Sequence, residues 1–364
     1  MPGDGLKRRA EKTVYFFMLK KFVLKNYKNF KDEIEVDLQD VAGYQFSNDC
    51  ISDDVISKML IYGRNATGKT NLGRAFMDIV FTMLPGPRFA ENGVFLNADS
   101  EEDHARFLYT FGFGEDEFDR LKLIDAETAN VERYLQAVEE NEAAQDMEYT
   151  LPFLRWLIGN VALKKDSALI RLSNYVRRMT MITVGSELNI RLHRVSDMFY
   201  EYLEDPDKLK DLEDFLNAMG IECELVLKKL PDGQRELYFA HDKLIPFYRN
   251  ASSGTLALVN LYRRLVSKLS EASFVYLDEF DAFYHYEMAE KVVQFFKKKY
   301  PHCQIIMTTH NTNLMTNRLM RPDCMFILSR RGTLTPLCHA TKRELREGHN
   351  LEKMYISGEF DAYE

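Results

Sequence analysis

Gly63-Arg64-Asn65-Ala66-Thr67-Gly68-Lys69-Thr70 fits the pattern G-x-x-x-x-G-K-[ST], and its flanks decide how it is read. Met59-Leu60-Ile61-Tyr62 before it is a short apolar run of the kind a buried strand shows. After it, Leu72, Ala75, Phe76, Ile79 and Val80 recur at helical spacing. In a strand, loop and helix of that order, glycine takes backbone angles that a Cβ forbids, and successive N–H groups turn inward around a phosphate. The positive end of the helix dipole adds to the attraction. Residues Gly63 to Asn71 are therefore expected to cradle a nucleotide. Lys69 is expected to bridge the β- and γ-phosphates, and the Thr70 hydroxyl to hold Mg2+.

Two further apolar runs end in residues suited to the same chemistry. Phe274-Val275-Tyr276-Leu277 leads into Asp278-Glu279, and carboxylates at a strand's carboxyl end lie where open α/β sheets place ligands. Asp278 suits the Mg2+ shell through water. Glu279, one residue on, points the other way and is assigned as general base or water-positioning group. The competing reading is an acidic cap on the next helix. Gln304-Ile305-Ile306-Met307-Thr308-Thr309 leads into His310, a group able to hydrogen-bond a γ-phosphate. His285 has a weaker claim, either orienting the loop after Glu279 or starting the helix that runs to Tyr300.

Ser252-Ser253-Gly254-Thr255 precedes Leu256, Leu258, Val259, Leu261, Leu265 and Val266, an apolar helical pattern. Hydroxyls and a glycine at a helix start make an anion site, or an ordinary N-cap. Since a phosphate loop is already present, a second γ-phosphate site is most simply explained as serving the ATP of another subunit.

Taken in order, these four elements resemble the ATP-binding-cassette family in its SMC/RecF-like head branch. The chain is similar, more narrowly, to bacterial AAA-type ATPases of phage-defence and abortive-infection systems, relatives of OLD-type nuclease ATPases and of the Septu and PARIS systems. That resemblance is carried by Leu24-Lys25-Asn26-Tyr27-Lys28-Asn29-Phe30-Lys31-Asp32, by Leu277-Asp278-Glu279-Phe280-Asp281 with His285, and by Thr309-His310-Asn311-Thr312-Asn313-Leu314. The tail Asn350-Leu351-Glu352-Lys353-Met354-Tyr355-Ile356-Ser357-Gly358 carries it to the other end of the chain. It implies two heads closing on two ATP molecules, each held by one subunit's phosphate loop and the other's Ser253-Gly254. One departure concerns a glutamine loop that the family places after the phosphate-loop helix. No glutamine occurs between Gln45 and Gln136, which bears on turnover more than on binding.

The chain has 364 residues, 46% hydrophobic and 29% charged, ample for one large or two modest domains. No apolar run approaches the roughly 18–20 residues of a membrane span, and Val14–Leu19 is too short for a signal-peptide core. A cytoplasmic location is expected. Five cysteines without CxxC spacing read as reduced and structural, with no zinc site. A formal charge of −8 argues against indiscriminate coating of nucleic acid. A local basic strip remains, Lys20, Lys21, Lys25, Lys28 and Lys31 with Tyr27 and Phe30 between them. It reads as a solvated strand face, or as a place where Tyr27 or Phe30 stacks on adenine.

The expected fold is α/β, a P-loop NTPase of the ABC-ATPase head type with a mixed sheet flanked by helices and an inserted α-helical lobe. Residues 1–114 and 211–364 are assigned to the head. Residues 115–210, rich in charge and poor in glycine, with repeats such as Val131, Tyr134, Leu135 and Val138, are assigned to the insertion. The expected function is an ATPase that dimerises around ATP and controls a separate effector, a nuclease or toxin, in anti-phage defence. The alternatives are a RecF-like head that clamps DNA and a scaffold in which ATP is a structural ligand.

Overall fold

The structure is a computed structural model and describes residues 17–84, 95–113, 121–123, 153–160, 163–164, 167–183, 197–268 and 272–364. Its strands in chain order are β1 (Phe17–Lys25), β2 (Ile34–Asp37), β3 (Ile51–Ser52), β4 (Val55–Ile56), β5 (Lys58–Tyr62), β6 (Arg106–Phe113), β7 (Leu121–Leu123) and β8 (Met179–Thr183). There follow β9 (Leu225–Lys229), β10 (Arg235–Phe239), β11 (Ile245–Pro246), β12 (Phe274–Asp278), β13 (Gln304–Thr309), β14 (Met325–Leu328) and β15 (Leu334–Pro336). The helices are α1 (Lys69–Met83), α2 (Phe153–Asn160), α3 (Ala168–Val176), α4 (Asp197–Leu203), α5 (Pro206–Ala218), α6 (Phe247–Asn250), α7 (Ser253–Lys268), α8 (Tyr286–Lys299) and α9 (Leu351–Ile356).

The main sheet runs β15-β14-β5-β13-β12-β8. β14, β5, β13, β12 and β8 are parallel, and β15 closes one edge antiparallel. Strands covered on both faces must be apolar throughout, and β5, β12 and β13 are buried at every residue. This is the expected P-loop α/β fold. A second, antiparallel sheet, β2-β1-β6-β7, lies alongside it, and β9, β10 and β11 form a third.

Helix α1 joins the first two sheets. Its Phe76 meets Phe22 of β1 at 4.4 Å and Phe274 of β12 at 5.4 Å between ring centres. The Tyr109 hydroxyl of β6 donates to Ala75 O at 2.7 Å. A buried amide completes the seam. Gln304 accepts from Leu19 N at 2.8 Å, donates back to Leu19 O at 2.7 Å, and accepts the Tyr175 hydroxyl at 2.6 Å. Polar groups so deep are stable only when so fully paired.

Part of the range assigned to the insertion lies in the main sheet. Met179–Thr183, inside the range assigned to it, is strand β8, paired with β12 from Phe274↔Met179 to Asp278↔Thr183. Helix α3 before it packs on α1 and β1. Residues 168–183 thus belong to the head. A five-residue strand amid charged, glycine-poor sequence leaves too short a period to read, and pairing with β12 decides it. The repeat around Val131–Val138 lies outside the described residues.

Two antiparallel pairs complete the fold, β9 with β10 and β14 with β15. Among the described residues no helix is long and apolar enough to cross a membrane. All five cysteines are free, three of them buried.

Candidate functional site

The loop between β5 and α1 sits at the carboxyl end of the main sheet, where the parallel strands β12 and β13 also end. Two glycines shape it. A Cβ on Gly63 would lie 2.7 Å from Thr67 Oγ1. Gly68, at φ +100, is in a region L side chains avoid, and a Cβ there would meet the Asn29 amide. The start of α1 is fixed from below, because the Tyr276 hydroxyl of β12 donates to Lys69 O at 2.6 Å.

Lys69, Thr70, Asn71 and Glu279 line one cavity of about 310 Å³ with Asn29, Ala66 and Gly68. Lys69 is buried and donates to Gly63 O at 2.6 Å and Arg64 O at 2.9 Å, so its ammonium lies against its own loop. Burial pulls its pKa down, and the charges of Glu279 and Asp278 oppose that. The Thr70 hydroxyl donates to Asp278 Oδ2 at 2.6 Å, which brings the two expected Mg2+ ligands together. A buried lysine, a hydroxyl–carboxylate pair and a cradle closed to any side chain at Gly68 fit a nucleotide triphosphate with its Mg2+. Among the described residues no cluster of three or more His, Cys, Asp or Glu side chains could hold a metal by itself.

Glu279 projects into the cavity from an unusual backbone. Its φ is 51, left-handed for a residue with a Cβ. Glu279 N–H donates to Thr308 Oγ1 at 2.8 Å, and Phe280 N–H to Thr308 O at 3.2 Å. His310, just after β13, is exposed and stands outside the residues that line the cavity. Asp281 is buried, which raises its pKa, while His310 draws it down.

Ser252, Ser253, Gly254 and Thr255 do not line this cavity. Ser252 Oγ accepts Thr255 N–H at 3.1 Å and lies 2.8 Å from Thr255 Oγ1, capping α7. Ser253 is exposed. A Cβ on Gly254 would approach Phe283 O to 3.2 Å, so the turn packs on the segment after Glu279. His285 starts α8: its carbonyl accepts Met288 N–H and Ala289 N–H, both at 3.0 Å. In the loop itself, Arg64 pairs with Glu364 and Asn65 is exposed.

The stacking reading of the amino-terminal strip is corrected. Tyr27 is 4% exposed and Phe30 1%, packed in the core and closed to any base. Lys21 pairs with Glu35 and Lys25 with Glu102, both at 2.5 Å, so the strip carries less free charge than its lysines suggest.

The residue from this segment that reaches the site is Asn29. Its Nδ2 donates to Thr67 O at 3.1 Å and its Oδ1 accepts Asn71 Nδ2 at 2.7 Å. It is carried there by a turn in which Asn26 and Lys28 both take positive φ and Tyr27 bridges Phe30. Asparagine tolerates such a left-handed turn, which accounts for Asn26 and leaves Asn29 without a local signal.

The sequence profile of a family described as "AAA domain, putative AbiEii toxin, Type IV TA system" matches residues 58–316. No curated protein matches the chain. Among solved structures, the SMC head domain from Thermotoga maritima is 17% identical, with 88% of this chain and 98% of that one covered and a TM-score of 0.39. An Smc head with an extended coiled coil, bound to the C-terminal domain of ScpA and derived from Pyrococcus furiosus, is 14% identical, covering 88% and 96% at a TM-score of 0.38. An SmcHead bound to the C-winged helix domain of ScpA is 14% identical, covering 87% and 96% at 0.39.

Proposed function

From the AAA-domain family whose profile spans residues 58–316, to which this chain belongs, we propose that the protein binds ATP with Mg2+ and hydrolyses it between two copies of itself. The observation that carries this reading is the meeting of Lys69, Thr70, Asp278 and Glu279 at one end of the parallel sheet, with three of the four lining one cavity. Loop amides and Lys69 hold the phosphates. Thr70 and Asp278 hold the cation, which, when bound, neutralises charge on the phosphate oxygens. Glu279 orients the attacking water and takes its proton. The amides and hydroxyls at the start of α7, absent from this chain's own cavity, complete the site of a second copy through Ser253 and Gly254. His310 reaches the γ-phosphate once the two copies close.

The wider role we propose is control of a separate nuclease or toxin in bacterial defence against phage. Its support is the resemblance carried by the motifs together with the toxin and antitoxin wording of the family description. The test is purification of the Glu279→Gln form with Mg-ATP from cells carrying its native operon, followed by mass spectrometry. A stoichiometric nuclease or toxin supports the reading; recovery of the protein alone with DNA replaces it by a DNA clamp. A second reading, ATP as a structural ligand of a scaffold, is favoured by the absence of glutamine between Gln45 and Gln136. It predicts that Glu279→Gln changes nothing.

A further inference from the structure

Thr308 and Thr309 at the end of β13 are both fully buried, and each hydroxyl is bonded on both sides. Thr308 Oγ1 donates to Asp278 Oδ1 at 3.0 Å and accepts Glu279 N–H at 2.8 Å. Thr309 Oγ1 donates to Asp281 Oδ2 at 2.7 Å and accepts Asn311 N–H at 2.9 Å. Neighbours on a strand point to opposite faces, so the loop after β12 is gripped from both sides of β13. What is gripped matters. Glu279 stands at φ 51, and such a backbone persists only where its surroundings over-determine it. Asn311 is the residue after His310, so its tether fixes where the histidine emerges. Asp281, at the far end of that tether, is 6% exposed, and its Oδ1 has no hydrogen-bond partner.

We propose that Thr308 and Thr309 are positioning residues that hold Glu279 and His310 in one fixed relation, Thr308 through the Glu279 amide and Thr309 through Asp281 and the Asn311 amide. The consequence for turnover rests on Glu279 acting as the water-orienting group. The device itself is a matter of backbone geometry.

The test uses the full chain with Thr308→Val and Thr309→Val, which remove a hydroxyl while keeping volume and β preference, and Thr→Ser at each position as rescue. Thr308→Val should lower kcat on the order of 100-fold, as a slight misplacement of a reacting group does. KM for ATP should hold, and Thr308→Ser should recover most of the loss. In a Glu279→Gln background the same change should cost nothing further, since residues acting as a unit are not additive. Amide hydrogen exchange in the nucleotide-free protein supplies a readout independent of turnover. Loss of the hydroxyl should speed exchange about tenfold at Glu279 for Thr308→Val and at Asn311 for Thr309→Val, the equivalent of one lost hydrogen bond. Should a valine chain not fold, Thr→Cys at the same position takes its place. A wild-type protein without turnover defeats the ATPase reading and leaves exchange to decide the inference. Unchanged exchange at both amides, or wild-type kcat in both valine variants, overturns it.

Discussion

Two helix starts in this molecule carry the residues proposed to meet phosphate, and they differ in what each has for company. Helix α1 opens with Lys69 and Thr70 beside Asp278 and Glu279, which the neighbouring strand brings into contact within the same chain. Helix α7 opens with Ser253 and Gly254, its Ser252 hydroxyl already engaged by the Thr255 amide, and none of these residues faces that cavity. The first start has carboxylates, a lysine and a cradle. The second has amides and an exposed serine. On the proposed function the contrast is a division of labour, in which one helix start carries the chemistry and the other serves the nucleotide of a second copy.

The comparison is most severely tested at Lys69. Lys69→Ala should weaken ATP binding about 100-fold, roughly 3 kcal/mol for the loss of a charged hydrogen-bonding group, measurable by isothermal titration calorimetry. Intact affinity would show that the first helix start is no nucleotide site at all. Glu279→Gln comes next. Turnover should fall by a factor of at least about 100, the usual contribution of a general base, while light scattering shows a dimer that persists in Mg-ATP. Ser253→Arg addresses the second helix start. The single chain should bind ATP as before and fail to dimerise. Mixing it with Lys69→Ala should restore turnover that neither shows alone, because one composite site in the mixed pair is intact. No recovery on mixing would place both helix starts in separate tasks.

Asn29→Ala should have a modest effect, about fivefold weaker nucleotide binding for a neutral hydrogen-bonding group, seen in the same titration. A last expected effect, on stability rather than on binding or turnover, lies beneath the loop. Lys58 opens β5, is fully buried, and donates to Cys303 O at 2.9 Å; burial pushes its pKa from 10.5 down to about 8. The unfolded amine holds its proton more tightly, so native stability rises with pH between about 8 and 10.5. Lys58→Met has no such dependence. The Tm difference, variant minus wild type, should therefore fall as the pH is raised from about 7 to about 10. A flat difference would mean that the buried amine stays charged.

How much of this was legible in the sequence varies with how local the constraint is. The strand, loop and helix around Gly63, Gly68, Lys69 and Thr70 were plain because an apolar run precedes that fixed spacing and a helical one follows it. Asp278 and Glu279 were plain because they end an apolar run. Tyr27 and Phe30 misled: aromatics between lysines look like a stacking surface, yet the turn folds both rings inward. Asn29 beside them was missed as a site residue because an amide in a turn has no chemical signature until the fold aims it. Strand β8 was hidden for another reason, since nothing within Met179–Thr183 announces that β12 lies beside it. Long-range pairing is a property of the assembled sheet, and a five-residue window cannot hold it.

The left-handed backbone at Glu279 has a bearing on how this protein would change under selection. Asparagine enters that region more easily than glutamate, and relief of such strain amounts to about 1 kcal/mol. A population screened for heat resistance alone would therefore favour Glu279→Asn and gain about 2 °C in Tm. It would also discard the carboxylate. On the proposed function, durability and work pull in opposite directions at this one residue.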